Sequence, residues 1–144
     1  YRLHFVTEAS ERLAEKTASL AWPGMGRVFF VSGGSEAVES SIKLARQHAI
    51  AIGEGTRWKV ISRWPSYHGC TLGALAVSGY DHLSDPFLPM MPAMPKVPAP
   101  RAWLDGLDPD DPATGVHYAA MLEAKICRIP RCIRAHISEL PHEE

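Results

Sequence analysis

Residues 28–46 read VFFVSGGSEAVESSIKLAR. The stretch opens on four apolar residues, turns through Ser32-Gly33-Gly34-Ser35, and then takes up helical periodicity. Val38, Ile42, Ala45, Ala49 and Ile52 make one apolar seam, while Glu39, Lys43, Arg46 and Gln47 mostly lie off it. Glu39 stands four residues before Lys43, the favourable order for an ion pair along a helix. Gly53-Glu54-Gly55 ends the periodic run, and residues 58–61 read as a further strand. Strand, helix, strand predicts a βαβ unit, with residues 27–31 and 58–61 as parallel neighbours in one sheet. The helix from about Gly34 to Ile52 packs on that sheet. Phe29 and Phe30 leave the first strand no polar face, which suits a sheet covered by helices. The fold class expected is therefore α/β with a mainly parallel sheet.

The turn is chemically suggestive. A helix N-terminus offers free backbone N–H groups and the positive end of the helix dipole, so Gly33, Gly34 and Ser35 form a candidate anion site, most often for phosphate. The plain alternative is a strand–helix turn whose glycines only relieve strain. It is not a P-loop, because no Gly-Lys-Ser/Thr follows. Nor is it a dinucleotide fingerprint, because Gly24-x-Gly26 precedes the strand instead of following it. Gly33-Gly34-Ser35-Glu36-Ala37 also approximates G-x-S-x-G, which would make Ser35 an acyl-transfer nucleophile. Asp105 and His117 meet the order of such a hydrolase only loosely. A second stretch, Ser66-Tyr67-His68-Gly69-Cys70-Thr71, supplies an aromatic ring and an imidazole on a loop.

Elsewhere the pattern is mixed. Thr7 can cap a helix over residues 8–20, with Glu8 and Glu11 in its first turn and a stripe of Ala9, Leu13, Thr17 and Leu20. Trp22-Pro23-Gly24-Met25-Gly26 breaks it. A short helix or turn covers 72–77. Prolines at 89, 92, 95 and 98 recur every third residue, so residues 82–112 read as an irregular proline-rich and acidic loop, unfit for a regular helix or a central strand. That loop could instead be presented to a partner by a non-catalytic interaction module. Residues 118–125 look helical, and 133–140 could form a last strand.

Composition sets limits. The 144 residues carry 46% apolar and 22% charged side chains with a formal net charge of −1. That fits one globular domain and gives no general pull toward nucleic acid or an anionic membrane. No apolar run approaches the roughly 18–20 residues of a membrane span. Cys70, Cys127 and Cys132 are odd in number without a C-x-x-C pair, which favours free thiols in the cytoplasm. Cys127, Cys132, His136 and His142 do not have a familiar zinc spacing, so no metal is expected.

The longer string resembles the class-III aminotransferases, fold-type-I enzymes that depend on pyridoxal 5'-phosphate. The matching residues are Ser35-Glu36-Ala37-Val38-Glu39, then Lys43-Leu44-Ala45-Arg46, then the aromatic-His-Gly of Tyr67-His68-Gly69 followed by Thr71-x-Gly73-Ala74 and Ser78-Gly79. The close resemblance covers about 28–79. It implies a partial large domain in which Gly33, Gly34 and Ser35 hold the cofactor phosphate, Tyr67 stacks on its ring, and His68 and Gly69 shape the nearby loop. Glu139 corresponds to a strand-end glutamate near the cofactor. The implied whole enzyme is a cytoplasmic homodimer acting on a small-molecule amino donor, an amine or ω-amino acid, and a keto acid. The resemblance also implies a Schiff-base lysine in a glycine-flanked loop and an aspartate for the pyridinium nitrogen. None of Lys16, Lys43, Lys59, Lys96 and Lys125 has that setting. The expectation is an internal fragment, without N-terminal segment, catalytic-lysine region or C-terminal small domain, that is inactive alone.

Overall fold

The computed structural model describes residues 7–129. The strand expected at 133–140, with Glu139, and the residues Cys132, His136 and His142 lie outside the described residues. The chain divides into two compact units between Ser32 and Gly33.

The first unit contains helix α1, Glu8–Ser19. Thr7 caps it as expected: its hydroxyl accepts the Ser10 N–H at 3.2 Å, and Ser10 Oγ accepts the Thr7 N–H at 3.2 Å. This reciprocal box satisfies two of the N–H groups that a helix start otherwise leaves open. The chain then turns at Trp22–Met25, where the Met25 N–H returns to the Trp22 carbonyl. Residues 27–31 carry no strand. The run is apolar, but a strand is made by a partner's ladder, and β propensity without one does not define it.

The parallel pair lies instead within the second unit, later than the sequence suggested. Strand β1 is Ser62–Trp64 and strand β2 is Lys96–Pro98, paired in parallel with Ser62 opposite Lys96 and Trp64 opposite Pro98. The expected strand at 58–61 is thus displaced toward its C-terminal side, and part of the supposed irregular segment is strand. The start of that segment is helical, with helix α4 at Asp81–Ser84 running into a 3-10 turn at Asp85–Met90, while residues 99–111 are turns and irregular chain as expected. Prolines enter the ladder because of its phase. The Ser62 N–H donates to the Pro95 carbonyl at 3.1 Å, and the Ala99 N–H donates to the Trp64 carbonyl at 2.8 Å. Parallel bonding uses alternate residues. Residues 95, 97 and 99 therefore face β1, and Pro98 falls where no N–H is needed.

Helix α2, Gly34–Ala51, matches the expected bounds closely. Its C-terminus closes as the glycine predicts. Gly53 takes φ +79, its N–H reaches the Ile50 carbonyl at 3.1 Å, and the Glu54 N–H reaches the Ala49 carbonyl at 2.8 Å. Of the predicted seam, Ala49 is buried and Val38, Ile42 and Ala45 are half-buried, but the capping residue Ile52 is exposed. Helix α3, Leu72–Val77, is the centre of the core: Ala74, Leu75, Ala76 and Val77 are all buried. It packs on α2. Helix α5, Pro112–Arg128, starts six residues before the predicted 118, with the Asp111 carboxylate accepting the Ala113 N–H at 2.9 Å and Pro112 in the first turn. Asp-Pro is a strong helix start, since proline's missing N–H costs nothing there.

Lys96 ties β2 to α3 by donating from Nζ to the Ala76 carbonyl at 3.0 Å. Burial holds its pKa below the usual 10.5, while Asp81 pulls it the other way. A lowered lysine pKa means the folded state binds fewer protons between the lowered value and 10.5. The penalty is present at neutral pH and is relieved as pH rises through that window. Urea unfolding of Lys96→Met should therefore gain less stability than the parent as pH rises toward and through 10.5. Equal gains for the two proteins would remove this account of Lys96.

Candidate functional site

The α2 N-terminus and the loop after β1 are more than thirty residues apart in sequence, and two side chains of α2 join them. The first is Ser35. Its Oγ accepts the Cys70 N–H at 3.0 Å and lies 3.6 Å from Cys70 Sγ. The second is Glu39, four residues on and so on the same face of the helix. Its Oε1 accepts the Thr71 hydroxyl at 2.7 Å and the Gly73 N–H at 3.0 Å. Glu39 thereby serves the open N-terminus of α3, whose N-cap Thr71 makes no side-chain cap of its own.

Close approach here requires glycine. Gly69 takes φ +133, and a Cβ on it would lie 2.9 Å from both Cα and Cβ of Ser35. A Cβ on Gly73 would lie 2.6 Å from Glu39 Oε1 and 2.7 Å from its Cδ. The loop is held from behind as well. The His68 N–H donates to Ser78 Oγ at 2.9 Å, Ser78 Oγ donates to the Ala74 carbonyl at 2.9 Å, and the Gly79 N–H donates to the Ser66 carbonyl at 2.7 Å.

The predicted residues are placed as follows. Gly33 is the N-cap of α2 and supplies no side-chain cap. The N–H groups of Gly34 and Ser35 occupy the first turn, before the first intrahelical bond from the Ala37 N–H to the Gly33 carbonyl at 3.0 Å. Nothing lies within 4 Å of a Cβ built on Gly33 or Gly34, so the approach to these donors is open. Tyr67 is 60% exposed, which leaves its ring available to a ligand. His68 lines an apolar cavity of about 600 Å³ with Val38, Ile42, Ile61, Val97 and Leu122. The structure brings Ser35, Gly69, Cys70 and Thr71 together, and Tyr67 and His68 are carried on the same loop. Glu139 lies outside the described residues.

The hydrolase alternative finds no constellation. Among the described residues no histidine hydrogen-bonds Ser35, whose partner is Cys70. Asp105 accepts the Tyr118 hydroxyl at 2.5 Å, an arrangement that raises the tyrosine's pKa because the hydrogen bond holds the proton that ionisation would remove. Sequence reasoning missed Glu39 as a site residue and read it as the surface partner of Lys43. No Glu39–Lys43 ion pair is present among the described residues; the carboxylate turns to α3. The usable signal was its four-residue spacing from Ser35 together with Thr71-x-Gly73, a helix start in need of an acceptor.

The sequence model of the family described as aminotransferase class-III matches residues 2–129. The chain belongs to the class-III aminotransferase family. Among curated relatives, a probable aminotransferase of Mycobacterium tuberculosis is 44% identical over 86 residues, covering 60% of this chain and 18% of the relative. The adenosylmethionine-8-amino-7-oxononanoate aminotransferase of Geobacter sulfurreducens is 33% identical over 129 residues, covering 89% of this chain and 27% of the relative. The omega transaminase of Pseudomonas jessenii, solved in complex with PMP, superposes with a TM-score of 0.78 at 30% identity, over 88% of this chain and 29% of that one. An (S)-enantioselective omega-transaminase of Thermomicrobium roseum gives 0.77 at 31% identity, over 85% of this chain and 28% of that one. This class-III chain therefore spans less than a third of the length of these relatives. The fold is α/β, a partial domain with a parallel sheet and helices, as the sequence led one to expect. Among the described residues no helix is long and apolar enough to cross a membrane.

Proposed function

We propose that this chain supplies the phosphate-binding and ring-covering part of a pyridoxal 5'-phosphate-dependent aminotransferase, one that moves an amino group from an amine or ω-amino acid to a keto acid. The observation that carries the reading is the joining of the α2 N-terminus to the 67–73 loop by Ser35 and Glu39. The names of the relatives support it, and so does the solved PMP complex of a structural neighbour.

The residues present fit the group. The N–H groups of Gly34 and Ser35 are donors at the positive end of an 18-residue helix. Ser35 Oγ already accepts from the Cys70 N–H, and its own proton, whose other acceptor within reach is the weak one Cys70 Sγ, would donate to a phosphate oxygen. Gly33 and Gly34 have no side chain to obstruct the anion. Tyr67 would cover the ring face, a contact worth about 1 kcal/mol beyond its buried area. Gly69 and His68 set the course of the loop beneath it. When bound, the cofactor supplies the electron sink that the transfer of an amino group needs. We assign no covalent role to Lys16, Lys43, Lys59, Lys96 or Lys125, because none lies in a glycine-flanked loop. The 144 residues alone then hold the cofactor reversibly and do not turn over, and the whole enzyme is a cytoplasmic homodimer.

Titration of the chain with pyridoxal 5'-phosphate tests this. Binding should be reversible and competed by inorganic phosphate, and Ser35→Ala should weaken it about tenfold. Borohydride reduction should fix no stoichiometric pyridoxyl-lysine. Cofactor binding indifferent to phosphate and to Ser35→Ala would overturn the reading. Covalent labelling of Ser35 by a fluorophosphonate, lost in Ser35→Ala, would favour the hydrolase.

A further inference from the structure

We propose that Glu39 is a positioning residue of the cofactor site, fixing the ring-covering loop to the phosphate-binding helix before the cofactor arrives. The inference rests on the function proposed above and assigns a task to a side chain that would not itself touch the cofactor.

The argument begins with the geometry of α2. Ser35 and Glu39 are one turn apart on a single face, and they grip Cys70, Thr71 and Gly73 in the same order. The bonds from His68 and Gly79 hold the loop to its own segment, so without Glu39 its hydrogen bonding to α2 would rest on the Ser35 contact. Glu39 adds two further bonds, one and three residues beyond Cys70, which extends the attachment to α2 from a point to a line. Both of its bonds converge on one oxygen, Oε1. Its carboxylate also packs against the bare Cα of Gly73, where a side chain would displace it. A charged acceptor at the N-terminus of α3 makes stronger bonds than a neutral one and is favoured by the helix dipole. Tyr67 leads into this anchored segment through Gly69. The phosphate donors sit on α2, and the ring-stacking side chain sits on the loop. Their separation is therefore set through Ser35 and Glu39, and an unanchored loop would have to be ordered at the expense of binding.

The convergence on a single oxygen makes a sharp test possible, because glutamine also offers one carbonyl oxygen at that place. The 144-residue chain and its Glu39→Ala and Glu39→Gln variants are titrated with two probes, inorganic phosphate and pyridoxal 5'-phosphate. Inorganic phosphate needs only the helix N-terminus, whereas pyridoxal 5'-phosphate needs the loop as well. Glu39→Ala should keep its phosphate affinity within about twofold and lose about tenfold in pyridoxal phosphate affinity. Glu39→Gln should bind pyridoxal phosphate within about threefold of the parent. A merely structural role would lower both affinities together, and that result overturns the proposal. So does Glu39→Gln failing as badly as Glu39→Ala, or Glu39→Ala binding pyridoxal phosphate like the parent. If Glu39→Ala does not fold, Thr71→Val removes one of the two bonds at constant shape and should show the same split at about threefold; equal binding of both probes to parent and Thr71→Val sinks the idea. A parent chain that binds neither probe overturns the proposed function itself, which separates the two failures.

Discussion

Gly69→Ala should destabilise the second unit by about 3 kcal/mol, with the urea midpoint lowered and the slope unchanged. Two costs add at this one position. The backbone sits at φ +133, a conformation that a residue with a Cβ rarely adopts. The new methyl would also lie 2.9 Å from Ser35 Cα, in contact with helix backbone that cannot swing aside. Either the loop retreats from α2 or the helix start is pushed off its capping turn. Both outcomes break the bond from the Cys70 N–H to Ser35 Oγ, so cofactor affinity should fall with stability. Gly33→Ala is the control. Its backbone is extended and the space around it is open, so its stability should change by no more than about 0.5 kcal/mol. Parent-like stability in Gly69→Ala would mean that loop and helix are not in contact as described.

The second large effect is expected at Gly79, on the opposite side of the loop. A Cβ there would lie 2.5 Å from the Arg63 carbonyl oxygen, 2.9 Å from Trp64 Cα and 3.0 Å from Ser66 N. All three are backbone atoms at the end of β1 or just past it. No unusual φ is involved, so the whole cost of Gly79→Ala comes from overpacking, about 2–3 kcal/mol. Thermal unfolding should register a Tm lower by about 10 °C. Gly115→Ala, inside α5 with nothing within 4 Å, should do the reverse and stabilise by about 0.5–1 kcal/mol. If Gly79→Ala and Gly115→Ala shift Tm in the same direction, the steric account of Gly79 is wrong.

The helices were legible in the sequence where chemistry marks their ends. Thr7 set the start of α1, and Gly53 set the stop of α2, because a capping side chain and a left-handed glycine act locally. Asp111-Pro112 was an equally local signal for α5 and was overlooked. The strands were not legible. β1 and β2 are three residues each, too short for alternation to declare itself, and one of them ends on proline. The apolar run at 27–31 looked more like a strand than either of them, yet Phe29, Phe30 and Val31 are exposed and the run makes no ladder. For the site, the motif residues Ser35 and Gly69 come together in space. Glu39 was misread because its helical neighbour Lys43 is visible in the sequence, whereas its partners Thr71 and Gly73 are close only after folding.

The phase of the prolines in β2 bears on what this surface does in a crowded solution. Among the described residues β2 has no strand on the side turned away from β1, where a three-residue strand ordinarily offers two N–H groups to a newcomer. Here Lys96 can offer one and Pro98 none. A newcomer would find half the usual donors, a device that blunts sheet edges against sticking. Pro98 thus makes the outer side of β2 a poor template for amyloid-like stacking of one copy on another.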